Sequence, residues 1–211
     1  MRVLIACEFS GIVRDAFTAA GHEAVSCDLL PTERPGLHYL GDVRDILDDH
    51  WELMVAHPPC TYLSLSGLHW NNRIAGRRDK TMAAIRLVRD LLGAPIPRIA
   101  LENPVGAISR HVRRPDQMIQ PWQYGHDASK LTALWLSNLP RLRPTAVLTP
   151  PRFQVNGCAR WENQTATGQN TLGPSPDRWK RRSLTYQGIA DAMAAQWGHA
   201  PVPDTIPPLP S

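Results

Sequence analysis

A chain of 211 residues, 43% hydrophobic and 20% charged, has the size and composition of one substantial domain, alone or with a small appendage, and excludes a disordered or fibrous protein. It holds no apolar run of about 18 residues and no basic leader with an apolar stretch, so neither a membrane span nor secretion is expected and the setting read is cytoplasmic. The net charge of +4 is uneven: residues 1–129 carry 14 Lys and Arg against 15 Asp and Glu, while residues 130–182 carry 9 against 2, which places the positive surface late in the chain.

Arg2 to Cys7 is a short apolar run without a helical period and predicts a buried strand. Ile12 to Ala20 puts Val13, Ala16, Phe17 and Ala20 on one helical face and stops at Gly21. Glu23 to Asp28 reads as a second strand, followed by the loop PTERPG; a short helical stretch follows Gly41-Asp42-Val43. A third strand, Leu53 to Ala56, runs into His57-Pro58-Pro59-Cys60. An amphipathic helix spans Lys80 to Leu92, and Pro97 to Leu101 is a strand that ends at Glu102-Asn103-Pro104. This alternation predicts an α/β fold with a doubly wound, mostly parallel sheet whose functional groups lie at the strands' carboxyl ends. The expected units are a cofactor-binding and catalytic domain over 1–143, a basic loop-rich insert over 144–182, a returning helix over 183–199 and an extended proline-rich tail over 200–211.

Glu8-Phe9-Ser10-Gly11 forms a tight connection opening a helix, and Asp28 ends the next strand. That pairing suits a nucleoside cofactor whose ribose hydroxyls need an acceptor, although the GxGxxG dinucleotide fingerprint is absent. The cysteines Cys7, Cys27, Cys60 and Cys158 show no CxxC spacing, so neither a metal site nor a disulfide framework is expected. Cys7 and Cys27 read as small core residues. Cys60, fixed after Pro-Pro at a strand's end, reads instead as a nucleophile toward carbon. Glu102, also at a strand's end, reads as a general acid toward a ring nitrogen if burial raises its pKa.

The order EFSG, strand-end Asp28, Gly41-Asp42-Val43, Pro59-Cys60 with Ser64 and Gly67, then Glu102-Asn103, resembles the DNA cytosine carbon-5 methyltransferases over about residues 1–110. The neighbouring amino-methyltransferases place Asp, Asn or Ser before Pro-Pro and an aromatic or serine after it, where this chain has His57 and Cys60. The resemblance implies the S-adenosylmethionine-dependent methyltransferase (Rossmann-like) fold. It assigns Glu8, Phe9, Ser10, Gly11 and Pro58 to S-adenosyl-L-methionine or a modified analogue, with Asp28 on the ribose, Asp42 and Val43 at the adenine and Gly188 in a closing motif. It makes Cys60, Glu102 and Asn103 the catalytic set, acting on a base flipped out of DNA.

Two departures stand out. Pro104 follows Glu-Asn where the family has Val, and the Gln-x-Arg-x-Arg strand that grips the base is missing, with Lys130 the cation expected in its place. Ser64, Lys130, Arg160, Arg178, Arg181 and Arg182 are the expected substrate contacts, and basic residues mixed with Trp161 and Trp179 suit phosphates and bases. The family's large target-recognition domain has no room in this length, which implies a loosely specific, phage-like member. The same chemistry on a free deoxycytidine nucleotide, a substituted methyl group, and a non-catalytic nucleic-acid-binding relic are the alternatives.

Overall fold

The computed structural model describes residues 1–149, 153–155 and 158–199. The opening apolar run forms β1 (Arg2–Ala6) at the centre of a seven-stranded sheet. The other strands are β2 (Glu23–Asp28), β3 (His38–Leu40), β4 (Leu53–Ala56), β5 (Ile99–Asn103), β6 (Gln117–Ile119) and β7 (Thr132–Ser137). They lie in the order β3-β2-β1-β4-β5-β7-β6. Neighbours from β3 through β5 pair in parallel, whereas β7 runs antiparallel to both β5 and β6. The chain leaves β1 toward β2 and β3, then returns to β4 and β5 on the other side. Loops after β1 and β4 therefore diverge and open a crevice at the sheet's carboxyl rim.

Helices α1 (Ile12–Ala19), α2 (Leu65–Leu68), α3 (Arg77–Leu92), α4 (Ala107–His111), α5 (Arg178–Ser183) and α6 (Gln187–Trp197) complete the regular elements, with a small antiparallel pair, β8 (Phe153–Val155) and β9 (Cys158–Arg160). Strand periodicity of two divides the central strands between two cores. Val3, Ile5, Leu53 and Val55 pack with Phe17 of α1 and Met193 and Trp197 of α6. Leu4, Met54, Leu101 and Trp135 face the other way, against Ile85, Val88 and Leu91 of α3. Strands buried on both faces must be apolar throughout, and this is why β1 and β4 are legible as continuous runs.

The structure revises several expected bounds. β5 continues through Glu102 and Asn103, α3 begins at Arg77, and α6 begins at Gln187 because Ser183 still belongs to α5. Within the loop-rich 144–182 segment lie the short β8 and β9 and most of α5, and the segment is tied to the sheet. Asn163 pairs with both backbone groups of Ser129, donating to its carbonyl and accepting from its N–H, each at 2.9 Å. Strands β3 and β6, three residues each, are too short to show an alternation. Arg152 and the expected tail over 200–211 lie outside the described residues.

Candidate active site

The carboxyl ends of β1, β4 and β5 share one rim. Because β7 is antiparallel, its start meets that rim too, with Asn103 opposite Ala133, and this brings Lys130 beside the strand ends. A cavity of about 550 Å³ opens there. Glu8, Phe9 and Ser10 line it at one side, His57, Cys60 and Glu102 at another, and the chain from Arg181 to Gln187 contributes a further wall.

Cys60 starts a 3-10 turn directly after Pro59, where the prolines end β4 and remove backbone donors. The turn is stitched to the loop after β5. Ala107 N donates to Leu63 O at 2.7 Å, Leu65 N to Val105 O at 3.3 Å, and Ser64 bridges Gly106. A Cβ at Gly106 would collide with the Leu63 carbonyl, so glycine is what permits this approach. Asn103 Nδ2 donates to Pro58 O at 2.6 Å, while its Oδ1 is buried without a partner among the described residues.

Burial and then the Glu102 carboxylate push the Cys60 thiol up, and the cations of Lys130 and Arg182 oppose them. Glu102 was expected to be raised by burial. Burial does act in that direction, but the His57 hydrogen bond and the Lys130 ammonium outweigh it and hold the carboxyl below its ordinary value. His57 Nδ1 and Glu102 Oε2 stand 3.2 Å apart, with side chains only 8% and 13% exposed. The sequence marks His57 only as the residue before Pro-Pro and gives it no role in the site. The register was the available signal: Ala56 pairs with Leu101, so the next residues, His57 and Glu102, fall side by side.

On the other side, Glu8 Oε1 accepts from Ser10 Oγ at 2.8 Å and Val13 N at 2.9 Å, and Oε2 is buried with no partner among the described residues. An unpaired buried carboxylate oxygen calls for a cation. Gly11, at φ 74°, makes the left-handed turn into α1. Lys180 of α5 lies 5.5 Å from the Phe9 ring, and Trp179 packs on it with centroids 6.1 Å apart, so α5 covers this loop. Cys7, expected as a core cysteine, packs against the core and also lines the cavity at φ 58°, and burial together with Asp28, Cys27 and Asp42 drives its thiol far up.

The remaining expected residues are not all gathered in the cavity. Asp28 sits beside it at the end of β2, accepting from Leu30 N at 2.9 Å, with burial raising its carboxyl. Asp42 caps a 3-10 turn and pairs with Arg44 at 3.1 Å, while Val43 is buried in the core. Ser64 contacts Ser66 at 3.2 Å at the start of α2, and Gly188 packs on the Tyr124 carbonyl, which a Cβ would strike. Arg160 folds back to donate to Ala166 O and Ala159 O, each at 3.0 Å. Arg178 is half-buried in α5; Lys130, Arg181 and Arg182 do line the cavity, and Lys130 Nζ donates to Leu184 O at 3.1 Å.

Positive charge is also not confined to the late segment. Arg73, Arg77, Arg78 and Lys80 stand against Asp79 shortly after Cys60, and Arg77 donates to Thr61 O at 3.1 Å while lying 4.9 Å from the Tyr62 ring centre. Arg14 is a further residue that sequence reading missed. It is 1% exposed within α1 and holds the 29–37 loop through Thr32 Oγ1 at 3.2 Å, Arg34 O at 3.1 Å and Pro35 O at 3.0 Å.

Strand order, the antiparallel β7 and the crevice at the switch point give a doubly wound, mostly parallel α/β sheet of Rossmann-like type. No protein family matches the chain, and no curated protein does. Among solved structures it is similar to a chain described as a DNA modification methyltransferase encoded within a prophage (E. coli), at 14% identity and a TM-score of 0.41. That match covers 64% of this chain and 46% of the other, so this chain spans less than half of that protein. Among the described residues, no helix is long and apolar enough to cross a membrane, and no group of three or more His, Cys, Asp or Glu could hold a metal ion.

Proposed function

We propose that the protein transfers a methyl group, or a substituted methyl, from S-adenosyl-L-methionine to carbon 5 of cytosine in DNA through a covalent Cys60 adduct. The observation that carries this reading is the convergence of Cys60 and Glu102 on one cavity with the unpaired Glu8 carboxylate oxygen. Glu8 fits the cofactor's positively charged amino-acid end, Phe9, Ser10 and Gly11 surround that end, and Asp28 serves the ribose. When bound, S-adenosylmethionine supplies an electrophilic methyl on a sulfonium. Asp42 and Val43 remain the adenine contacts expected from the resemblance, with Asp42 sharing its carboxylate with Arg44.

Cys60 adds to carbon 6 of the pyrimidine, which makes carbon 5 enamine-like and nucleophilic. Glu102 attends the ring nitrogen, and Asn103 fixes the loop through Pro58 O. Once carbon 5 carries the transferred group, its proton leaves to water, and the electron pair released restores the carbon 5–carbon 6 double bond as Cys60 departs. Cys60 lies at a rim walled by protein, so a base in duplex DNA reaches it only after leaving the stack. Arg181 and Arg182, at the cavity, and the basic run after Cys60 are placed to neutralise phosphates.

The test is a mass measurement. Purified protein is incubated with cofactor and either duplex DNA or deoxycytidine monophosphate, the product is digested to nucleosides, and the mass added to cytosine is read. A gain on DNA supports the proposal, a gain on the monophosphate alone transfers it to free nucleotides, and no gain on either refutes it.

A further inference from the structure

Glu102 presents a difficulty for the acid role assigned to it. The reaction needs a proton at the ring nitrogen, yet the buried carboxyl is held in its charged form by its neighbours. Resting on the cytosine reading above, we propose that His57 is a positioning residue that fixes the Glu102 carboxylate through its Nδ1 proton, so that Glu102 first takes the Cys60 thiol proton by way of one water across the cavity and then gives it to the ring nitrogen.

The geometry gives His57 no other evident task. Its Nδ1 lies 3.2 Å from Glu102 Oε2 and its Nε2 is buried without a partner among the described residues. An ionised carboxylate only accepts, so the proton between them belongs to Nδ1. The parallel register of β4 and β5 sets the two side by side, and the stitched loops after those strands hold Cys60 in the same piece. The groups facing Glu102 are His57 after β4, Lys130 and Thr132 at the start of β7, and the Cys60 thiol across the cavity; Arg182 of α5 acts on Cys60.

The step balances without an outside acid. The S–H bond of Cys60 breaks as an O–H bond forms on Glu102, and sulfur then bonds to carbon 6. The carbon 5–carbon 6 pair moves to carbon 4–carbon 5, and the carbon 4–nitrogen 3 pair comes to rest on nitrogen 3. Glu102 delivers the proton there and is a carboxylate again, while His57 keeps its Nδ1 proton throughout. Elimination of Cys60 returns the ring-nitrogen proton through Glu102 to sulfur, while the carbon-5 proton, which the addition never moved, leaves to water. A thiol raised by burial can thus react without a standing population of free thiolate.

His57→Leu removes the donor, and His57→Asn keeps an N–H near the Nδ1 position. In the free protein, carbon NMR of the Glu102 carboxyl should show it charged at neutral pH in the wild type and titrating at higher pH in His57→Leu. With DNA, His57→Leu should lower kcat by about 100-fold with KM little changed. The acid limb of its kcat profile should move to higher pH, and His57→Asn should recover much of the rate. An unchanged Glu102 titration, or a His57→Leu rate within about threefold of wild type on an unmoved profile, overturns the proposal. A wild type that adds nothing to cytosine removes the parent reading and the proton transfer with it, whatever the titration shows.

Discussion

Replacing Arg14 by Met tests how far the proposed cofactor side of the cavity depends on one buried cation. The guanidinium donates to Ser26 Oγ, Thr32 Oγ1, Arg34 O and Pro35 O and pairs with Asp15 at 2.8 Å, all from a side chain that is 1% exposed. Arg34 and Pro35 are exposed, so their carbonyls recover water when the cation is gone, and Ser26 keeps His38 as a partner at 2.9 Å. Hydrogen bonds to a charged group are each worth about 1.5–3 kcal/mol, and these discounts bring the expected loss to about 3 kcal/mol. For a domain of this size that corresponds to a Tm lower by about 6–12 °C. The released 29–37 loop also carries the Glu33 N–H that binds Phe9 O at 2.8 Å, so cofactor affinity measured by calorimetry should fall as well. A Tm within about 2 °C of wild type, with unchanged affinity, would show that the loop holds itself and that the reasoning is wrong.

Lys130→Ala removes a cation that pulls the Cys60 thiol down, so the pH midpoint of Cys60 alkylation by iodoacetamide should rise, whereas Glu102→Gln should lower it. Identical alkylation profiles in both variants would refute this electrostatic account. Trp197 is fully buried and donates from Nε1 to Pro140 O at 3.0 Å; Trp197→Ala should cost about 3–5 kcal/mol in urea unfolding. Replacing Arg181 and Arg182 with Ala should weaken DNA binding and shallow the slope of log K against log salt by about one per residue, which filter binding at several salt concentrations measures.

What the sequence disclosed follows from burial. Residues 23–28 and 53–56 lie in strands paired on both sides and read as strands, and their ends pointed to Asp28 and to the Pro-Pro-Cys loop. The facts that escaped depend on which strands become neighbours. His57 and Glu102 are 45 residues apart and meet only through the register of β4 and β5. Arg14 lies beside the apolar stripe of α1 and looks solvent-facing until the 29–37 loop folds over it. The sign of the Glu102 shift depended on the same missing pair, since burial alone acts in the direction the sequence suggested.

The glycine approach between the loops after β4 and β5 has a mechanical consequence. With Leu63 and Ala107 joined and Gly106 pressed to the chain opposite, nucleophile and acid ride on a single anvil whose internal spacing cannot change much. The facing wall of the cavity is the chain between Asn170 and Gln187, which carries Arg181 and Arg182. In the proposed reaction, the segment that would grip the polyanion is thus also the wall that faces the thiol.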